Sequence, residues 1–534
     1  MPRSAGRRGG PAVLVAVLAA VAGLLCSCAV GPSMRPPVAV RGSSAVDGVP
    51  RLPPPPAPPA GPALPVPDAG NADAAGFIDC TEDIQPVLPV PIPSGRALRY
   101  ECTDIPIDSD DSSGRPRQSS ISLTRISLTD QPPDARPPLL VLGDSDGETG
   151  TLRAARLAAQ VPLALLQHFS LVGMDRRGEG TSRLDCAPSE VRSELLDADL
   201  VGTDLDAVQG LLDQARKAVQ ECSLTEGETL TKYDTADTAR DVEQARGLLG
   251  VRTLSAIGLG DGARALAVWA QNSPHSVGRL VLDSPPDPTQ DAIGAADARA
   301  TAAEATFDAF GKDCDSRPGC PLGANPRAGL IALVTKLRDQ PLAGSDGELL
   351  TSGAMLNAVL LGLDDPKGWP ALATALGAAN NGDPNGLLGY LDGLLGLNGR
   401  FDLALATRCN DTAQRVSPPQ VAQLIGRWNT AHPIFGGLMA QQLLYCSAWP
   451  VPTDPAKVGP ADAAPPMLVL ASALSPRVPP QGYQRAADLL VPAKLVNWQG
   501  AGQGAYPRTS CVTNAVDGLL VSGVIPQASI LCPP

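Results

Sequence analysis

An alternation of short apolar runs with helix-length segments constrains this chain more than any other feature. Runs of strand length occur at Ile121–Ile126, Leu139–Leu142, Leu171–Met174, Leu254–Ile257, Leu280–Leu282, Met467–Leu470 and Lys494–Trp498. Helix-length segments at Leu152–Ala159, Thr235–Leu248 and Arg264–Ala270 lie between several of them. Apolar strands separated by helices pair in parallel and are covered on both faces. The expectation is an α/β fold, a mostly parallel central sheet flanked by helices. The rhythm breaks between Leu282 and Met467. Segments around Asp291–Phe310, Gly329–Asp339, Met355–Leu361, Leu387–Leu394 and Val421–Trp428 have helical character there, so this stretch is expected as a helical cap inserted over the sheet.

The segment from Leu254 to Arg264 reads as an apolar strand, a glycine-rich turn and then an Ala/Leu-rich helix. This is the pattern of a nucleophile elbow, in which small flanking residues let a sharp turn approach both sheet and helix while one side chain stands at the tip. Gly258 and Gly262 meet the flanking requirement, and Gly260 stands at the tip. Glycine holds the unusual backbone of such a turn without steric cost, but it carries no nucleophilic atom. No Gly-Lys-Ser/Thr ending follows and the G-x-G-x-x-G spacing is absent, so phosphate-loop and dinucleotide readings fail.

Further motifs recur in a fixed order. Gly258–Gly262 is followed by Gly278–Pro285 (GRLVLDSP) and preceded by Gly173–Ser182 (GMDRRGEGTS). Phe307–Phe310 (FDAF) comes before Cys314 and Cys320, then come Cys409-Asn410-Asp411, Cys446–Val451 (CSAWPV) and the terminal Cys511 and Cys532. Over roughly Cys80 to Cys532 this series resembles the secreted tripeptidyl-aminopeptidase-like branch of the α/β hydrolases. The resemblance implies an α/β-hydrolase fold with a Ser-Asp-His triad. The positions corresponding to the triad are Gly260, Ser475 and Gln503. Ser475 has no carboxylate to orient a base, and Gln503 does not take up a proton near neutral pH. As a divergent member lacking the triad, the chain is expected to be a catalytically degenerate cell-envelope protein that binds a ligand or protein partner, and more an inactive relative than an enzyme. The competing expectation is a peptidase or esterase working through a relocated constellation.

Asp144, Asp146 and Glu148 lie in the loop after Leu142, where the resembling hydrolases aim backbone donors at developing negative charge. Their alternation reads first as a solvated acidic turn, next as recognition of a cationic or amine-bearing ligand, and last as a calcium site, because the complete twelve-residue calcium loop is absent. With Gly260, Asp261, Ser475 and Gln503 they form the set of ligand-binding candidates. Asp261 as a displaced nucleophile is disfavoured, since consecutive side chains at a sharp turn diverge. Of His168, His275 and His432, the last is the least poor candidate for a base, because the cap can hang over the pocket.

At the N-terminus Arg3, Arg7 and Arg8 precede the apolar run Pro11–Leu25, and Cys26, Ser27 and Cys28 follow. That run is short for a permanent span but suits an export signal. Leu25-Cys26-Ser27-Cys28 resembles a bacterial lipobox with Cys28 as the lipidation site, so the protein is expected outside the cytoplasm, anchored to the extracytoplasmic face of the cell membrane. With Cys26 removed in the signal and Cys28 assigned to lipid, ten cysteines remain, an even number that suits disulfides in an exported protein. The simplest pairing follows chain order: Cys80 with Cys102, Cys186 with Cys222, Cys314 with Cys320, Cys409 with Cys446, and Cys511 with Cys532. Metal binding is disfavoured and no cofactor is expected. The domain plan is a signal peptide over 1–27, a proline-rich flexible stalk over 28–77, hydrolase core over 78–289, cap over 290–460 and the rest of the core over 461–534. A formal net charge of −13 argues against nucleic acid as a partner. The expected partners are an envelope protein, a peptide, or a lipid or glycolipid.

Overall fold

The computed structural model describes residues 64–534 apart from 71–74, 89, 108–118, 131, 133–135, 397, 398 and 453. The expected signal peptide, Cys28 and most of the expected stalk lie outside the described residues. The strands are β1 (Ile78–Asp79), β2 (Leu98–Ile107), β3 (Ser119–Leu128), β4 (Pro138–Leu142), β5 (Ser170–Met174), β6 (Leu254–Leu259), β7 (Val277–Asp283), β8 (Leu342–Ala343), β9 (Leu349–Leu350), β10 (Met467–Leu474), β11 (Ala493–Ala501) and β12 (Ile530–Cys532). Ten of them form one sheet in the order β1-β2-β3-β5-β4-β6-β7-β10-β11-β12, and β8 and β9 pair separately. From β5 to β12 the pairing is parallel, and β1 to β3 add an antiparallel edge. All seven expected strands are present. β4, β5, β6 and β7 are buried at every residue, the pattern required of strands covered on both faces.

Helices cover each face. Asp261–Asn272 and Thr235–Leu248 pack on one side with Trp269, Leu266 and Val242 in its core. Gly150–Gln160 and Ser510–Ser522 pack on the other with Leu157 and Leu519. Register aligns the strand ends that matter: Leu142 pairs with Gly258, Leu259 with Asp283, and Leu470 with Asp283. The loops after β4, β6, β7, β10 and β11 therefore open at one edge of the sheet, the carboxyl ends where ligands bind in open α/β sheets.

A third apolar core belongs to the cap, and it corrects the expected boundaries. The helix Ala292–Asp315 places Phe307 and Phe310 at its centre, where Phe310 meets Trp369 edge-on at 5.9 Å. Leu195, Leu196, Leu211 and Leu212, from the helices Ser189–Asp197 and Leu205–Glu226, are buried in the same cluster. The cap is thus built from two stretches of chain, and part of what 78–289 was expected to give to the sheet belongs above it. Amphipathic helices carry no mark of which layer they cover, so periodicity alone could not assign them.

The expected start of order at residue 78 is also too late. Leu64 packs on the sheet core, the carbonyl of Pro65 accepts a hydrogen bond from Arg279 Nε at 3.1 Å, and Phe77 lies under the Arg125 guanidinium at 4.4 Å. The five disulfides pair the cysteines in chain order, Cys80–Cys102, Cys186–Cys222, Cys314–Cys320, Cys409–Cys446 and Cys511–Cys532. No helix among the described residues is long and apolar enough to cross a membrane.

Candidate active site

The turn after β6 has the geometry its sequence demands. Gly260 sits at φ +56° and ψ −120°, and the helix Asp261–Asn272 starts at the next residue. Its neighbours are glycines for a steric reason. A Cβ on Gly258 would fall 2.6 Å from the Ala263 nitrogen, and one on Gly262 would fall 2.5 Å from the Gly143 carbonyl oxygen. Both contacts are with backbone, which cannot swing aside.

What occupies the space above Gly260 is a carboxylate from the loop after β4. A Cβ added there would lie 2.5 Å from Asp144 Cγ and 2.8 Å from Asp144 Oδ1. The Asp144 side chain thus fills the region where a tip side chain would project. Its Oδ2 accepts a hydrogen bond from Gln503 Nε2 at 2.6 Å, and its Oδ1 accepts a long one from the Asp261 N–H at 3.3 Å. Gln503 is fixed by a loop that needs two glycines at positive φ, Gly502 and Gly504, and its own N–H donates to the Asp364 carbonyl at 2.9 Å. The loop is tied down from the sheet by Asp283, whose carboxylate accepts from the N–H groups of Ala505 and Tyr506 at 2.9 and 3.0 Å.

The acidic turn is not solvated, which corrects the first reading of it. Asp144 is 5% exposed, and Arg477, its side chain 13% exposed, enters the turn as the cation. Its guanidinium bonds Asp364 at 2.6 Å, ion-pairs with Asp146, and stands 3.4 Å from Asp144. Burial and the neighbouring charge of Asp146 push the Asp144 carboxyl up to about 7, with Arg477 opposing. Burial also works against the charge of Asp146, but Arg477, Arg299 and Arg408 outweigh it and hold that carboxyl below the usual range. Two carboxyls two residues apart are therefore driven in opposite directions, the divergence that separates acid and base roles in hydrolase sites.

The other expected site residues are divided by the structure. Asp144, Asp146, Gly260, Asp261 and Gln503 line one cavity of about 330 Å³ beneath the cap. Ser475 does not line it; it is 2% exposed and its hydroxyl accepts from the Arg477 N–H at 3.2 Å. Glu148 also turns away, bonding Arg156 Nε at 2.7 Å. Asp261 lines the cavity and receives the Ser145 hydroxyl. None of the histidines lines it; His432 pairs with Asp297 at 3.1 Å. Cys186, Cys222 and Asp402 converge with the spacing of metal ligands, but both sulfurs are committed to their disulfide.

Sequence reasoning missed Arg477, Arg299, Arg408 and Asp364, all of which surround this cavity or its wall. A signal existed for the first: Arg477 lies two residues beyond Ser475, and two acids at Asp144 and Asp146 require a cation if buried. For the cap arginines there was none, because nothing local distinguishes an inward from an outward arginine.

With a parallel sheet, a glycine elbow after β6 and a cap over the strand ends, the topology decides the broad assignment. The chain belongs to the α/β-hydrolase superfamily. A family model described as TAP-like protein matches residues 432–532 of this superfamily member. It is 25% identical over 456 residues to the serine protease Hip1 of Mycobacterium tuberculosis, covering 80% of this chain and 86% of that one. It is 27% identical over 470 residues to carboxylesterase B of the same organism, covering 82% and 87%. With the tripeptidyl aminopeptidase of Streptomyces coelicolor it shares 24% over 490 residues, covering 87% of each. These relatives overturn the expectation that this α/β-hydrolase is more an inactive protein than an enzyme. Named hydrolases match it along four fifths or more of its length, cap and sheet together. Above the vacant serine position the cavity holds a buried carboxyl with a raised proton affinity.

Proposed function

We propose that the protein hydrolyses ester or peptide bonds, with Asp144 in place of an elbow serine as the group that activates the attacking oxygen. The observation that carries this reading is the position of Asp144: its carboxyl fills the space above Gly260 and is held there by Gln503 at 2.6 Å. A base tuned near neutrality both accepts and returns a proton at working pH, and such a group contributes about 10²- to 10⁴-fold. Ionised Asp144 takes a proton from water as the water oxygen adds to the substrate carbonyl carbon. The oxyanion then accepts a hydrogen bond from the Asp261 N–H, which sits at a helix N-terminus and is only loosely engaged by Asp144 at 3.3 Å. As the tetrahedral species collapses, protonated Asp144 returns its proton to the departing alkoxide or amine. An acid and an alcohol or amine result, with no covalent enzyme intermediate.

The test uses purified mature protein with aminoacyl and short-chain ester reporters. Turnover is expected to rise with pH through about 7, to resist a fluorophosphonate probe, and to fall about 100-fold in D144N. Activity unchanged in D144N, or a substrate-derived adduct on another cavity residue, would overturn it.

The finer family membership, in the tripeptidyl-aminopeptidase-like branch, is supported by the motif order and by the match over residues 432–532. Export and lipid attachment at Cys28 are part of the same proposal and rest on the positive n-region, the apolar run and the lipobox-like Leu25–Cys28. In C28A the processed protein should leave the membrane fraction for the soluble one; attachment that persists after normal export would sink the assignment.

A further inference from the structure

A second chamber of about 60 Å³ adjoins the cavity, sharing Asp146 and Arg477 with it and lined largely by the cap. Arg299, from the helix Ala292–Asp315, and Arg408, from the helix Phe401–Asn410, line both spaces. The far wall is apolar and includes Leu360, Leu361, Phe401 and Leu405.

Three carboxylates around these two spaces already have cations. Asp364 and Asp146 are held by Arg477, and Asp411 on the opposite wall by Arg264 at 3.0 Å. The two cap arginines have little in return. Arg299 approaches Asp146 at 3.7 Å, and its Nε is buried without a hydrogen-bond partner. Among the described residues Arg408 makes no ion pair, and its guanidinium donates to neutral Gln442 Oε1 at 3.4 Å. Burial and the neighbouring Arg408 charge lower Arg299, but only to about 10, so it remains a cation at neutral pH. Two guanidiniums that line the same two spaces beside a leucine-rich wall, with the charge of Asp146 acting on both, form a surplus of partly desolvated positive charge. A fork of planar donors with no acceptor of its own is matched by a carboxylate.

We propose that Arg299 and Arg408 together bind a free carboxylate on the substrate, while an apolar group next to that carboxylate enters the chamber lined by Leu360, Leu361, Phe401 and Leu405. Arg299 is one ion pair from Asp146, and Asp146 shares Arg477 with Asp144, so the anion seats a short chain's length from the proposed base. The substrate class is a short acyl compound ending in a carboxylate beside an apolar side chain, as in an N-acylated leucine or the carboxyl end of a small peptide. Its role as substrate rests on the hydrolase reading above. Anion binding itself does not, and the two are separable by experiment.

Calorimetric titration of the full mature chain with N-acetyl-L-leucine, and with neutral N-acetyl-L-leucinamide as control, reads the site directly. The acid is expected to bind about tenfold or more tightly than the amide. R408M should weaken the acid by about tenfold and leave the amide unchanged, R408K should keep part of the preference, and D144N should still bind the acid. Thermal melts of each variant identify any that fail to fold, and for those the R299M variant replaces R408M. Equal affinity for acid and amide, an acid affinity untouched in both R299M and R408M, or no binding of the acid at millimolar concentration overturns the proposal. Acid preference as expected together with undiminished hydrolysis in D144N would instead count against Asp144 as base alone.

Discussion

The floor and the roof of the cavity are built on opposite principles. The floor comes from strand ends, and its geometry is dictated by backbone: Gly258 and Gly262 stand where neighbouring backbone leaves no room for a Cβ, and Gly260 holds a positive φ. The roof comes from cap helices, and its contribution is side-chain charge, Arg299 and Arg408, on a scaffold of leucine, alanine and phenylalanine. The contrast teaches that a fixed backbone can keep its shape after the residue at its tip has changed. Side chains arriving from elsewhere then decide what chemistry the shape is used for.

One residue joins the two. Arg477, after β10, holds Asp144 and Asp146 from the loop after β4 and Asp364 from the cap. R477M therefore breaks the comparison most severely, since it leaves three carboxylates around one buried space with no shared cation. Removing one partner of a buried ionic group costs about 3–5 kcal/mol. The loss should be greatest in alkaline solution and partly relieved by acid. Asp146 is held below the usual range, so its stabilising pair is present above the unfolded carboxyl range near 4 and is lost as pH falls; without Arg477 the ionised form is the unfavourable one. Urea unfolding at two pH values measures this.

A smaller effect sharpens the floor. G260A adds a Cβ at positive φ and drives it into Asp144, which should destabilise by about 2–4 kcal/mol. In a D144G background the same change should be milder by at least ~1 kcal/mol, because the obstructing carboxylate is gone while the backbone strain remains. Additive losses would show that Asp144 does not occupy the tip space.

The smallest expected effect isolates the charge on Asp144. Its carboxyl is raised in the folded protein, so its contribution to stability is complete below the unfolded value near 4 and is lost as pH rises through about 7. D144N removes that dependence. The variant should gain on the wild type by ~1–2 kcal/mol between about pH 5 and pH 8, read from melting curves.

How much was legible in sequence follows the range of the interactions. The strands were plain because a run such as Leu139–Leu142 must be buried on both faces, and the elbow was plain because three glycines within five residues have few other uses. The second contribution to the cap was not plain. Val191, Leu195 and Leu211 are spaced for any buried helix face, and only Phe307, Leu330 and their neighbours reveal which core they enter.

The sequence by itself determined the parallel sheet, the glycine turn after β6, the vacancy at its tip and an even set of cysteines. All of these follow from local sterics, periodicity and chemical identity. Only the tertiary structure decided that Asp144 fills the vacancy, that Gln503 orients it, that Arg477 neutralises the acidic turn, and that Arg299 and Arg408 face inward. Those facts depend on residues up to 359 positions apart being brought within hydrogen-bond reach, as Asp144 and Gln503 are. Electrostatic environment is a property of that convergence and of the water it excludes, and neither is written in any single stretch of the chain.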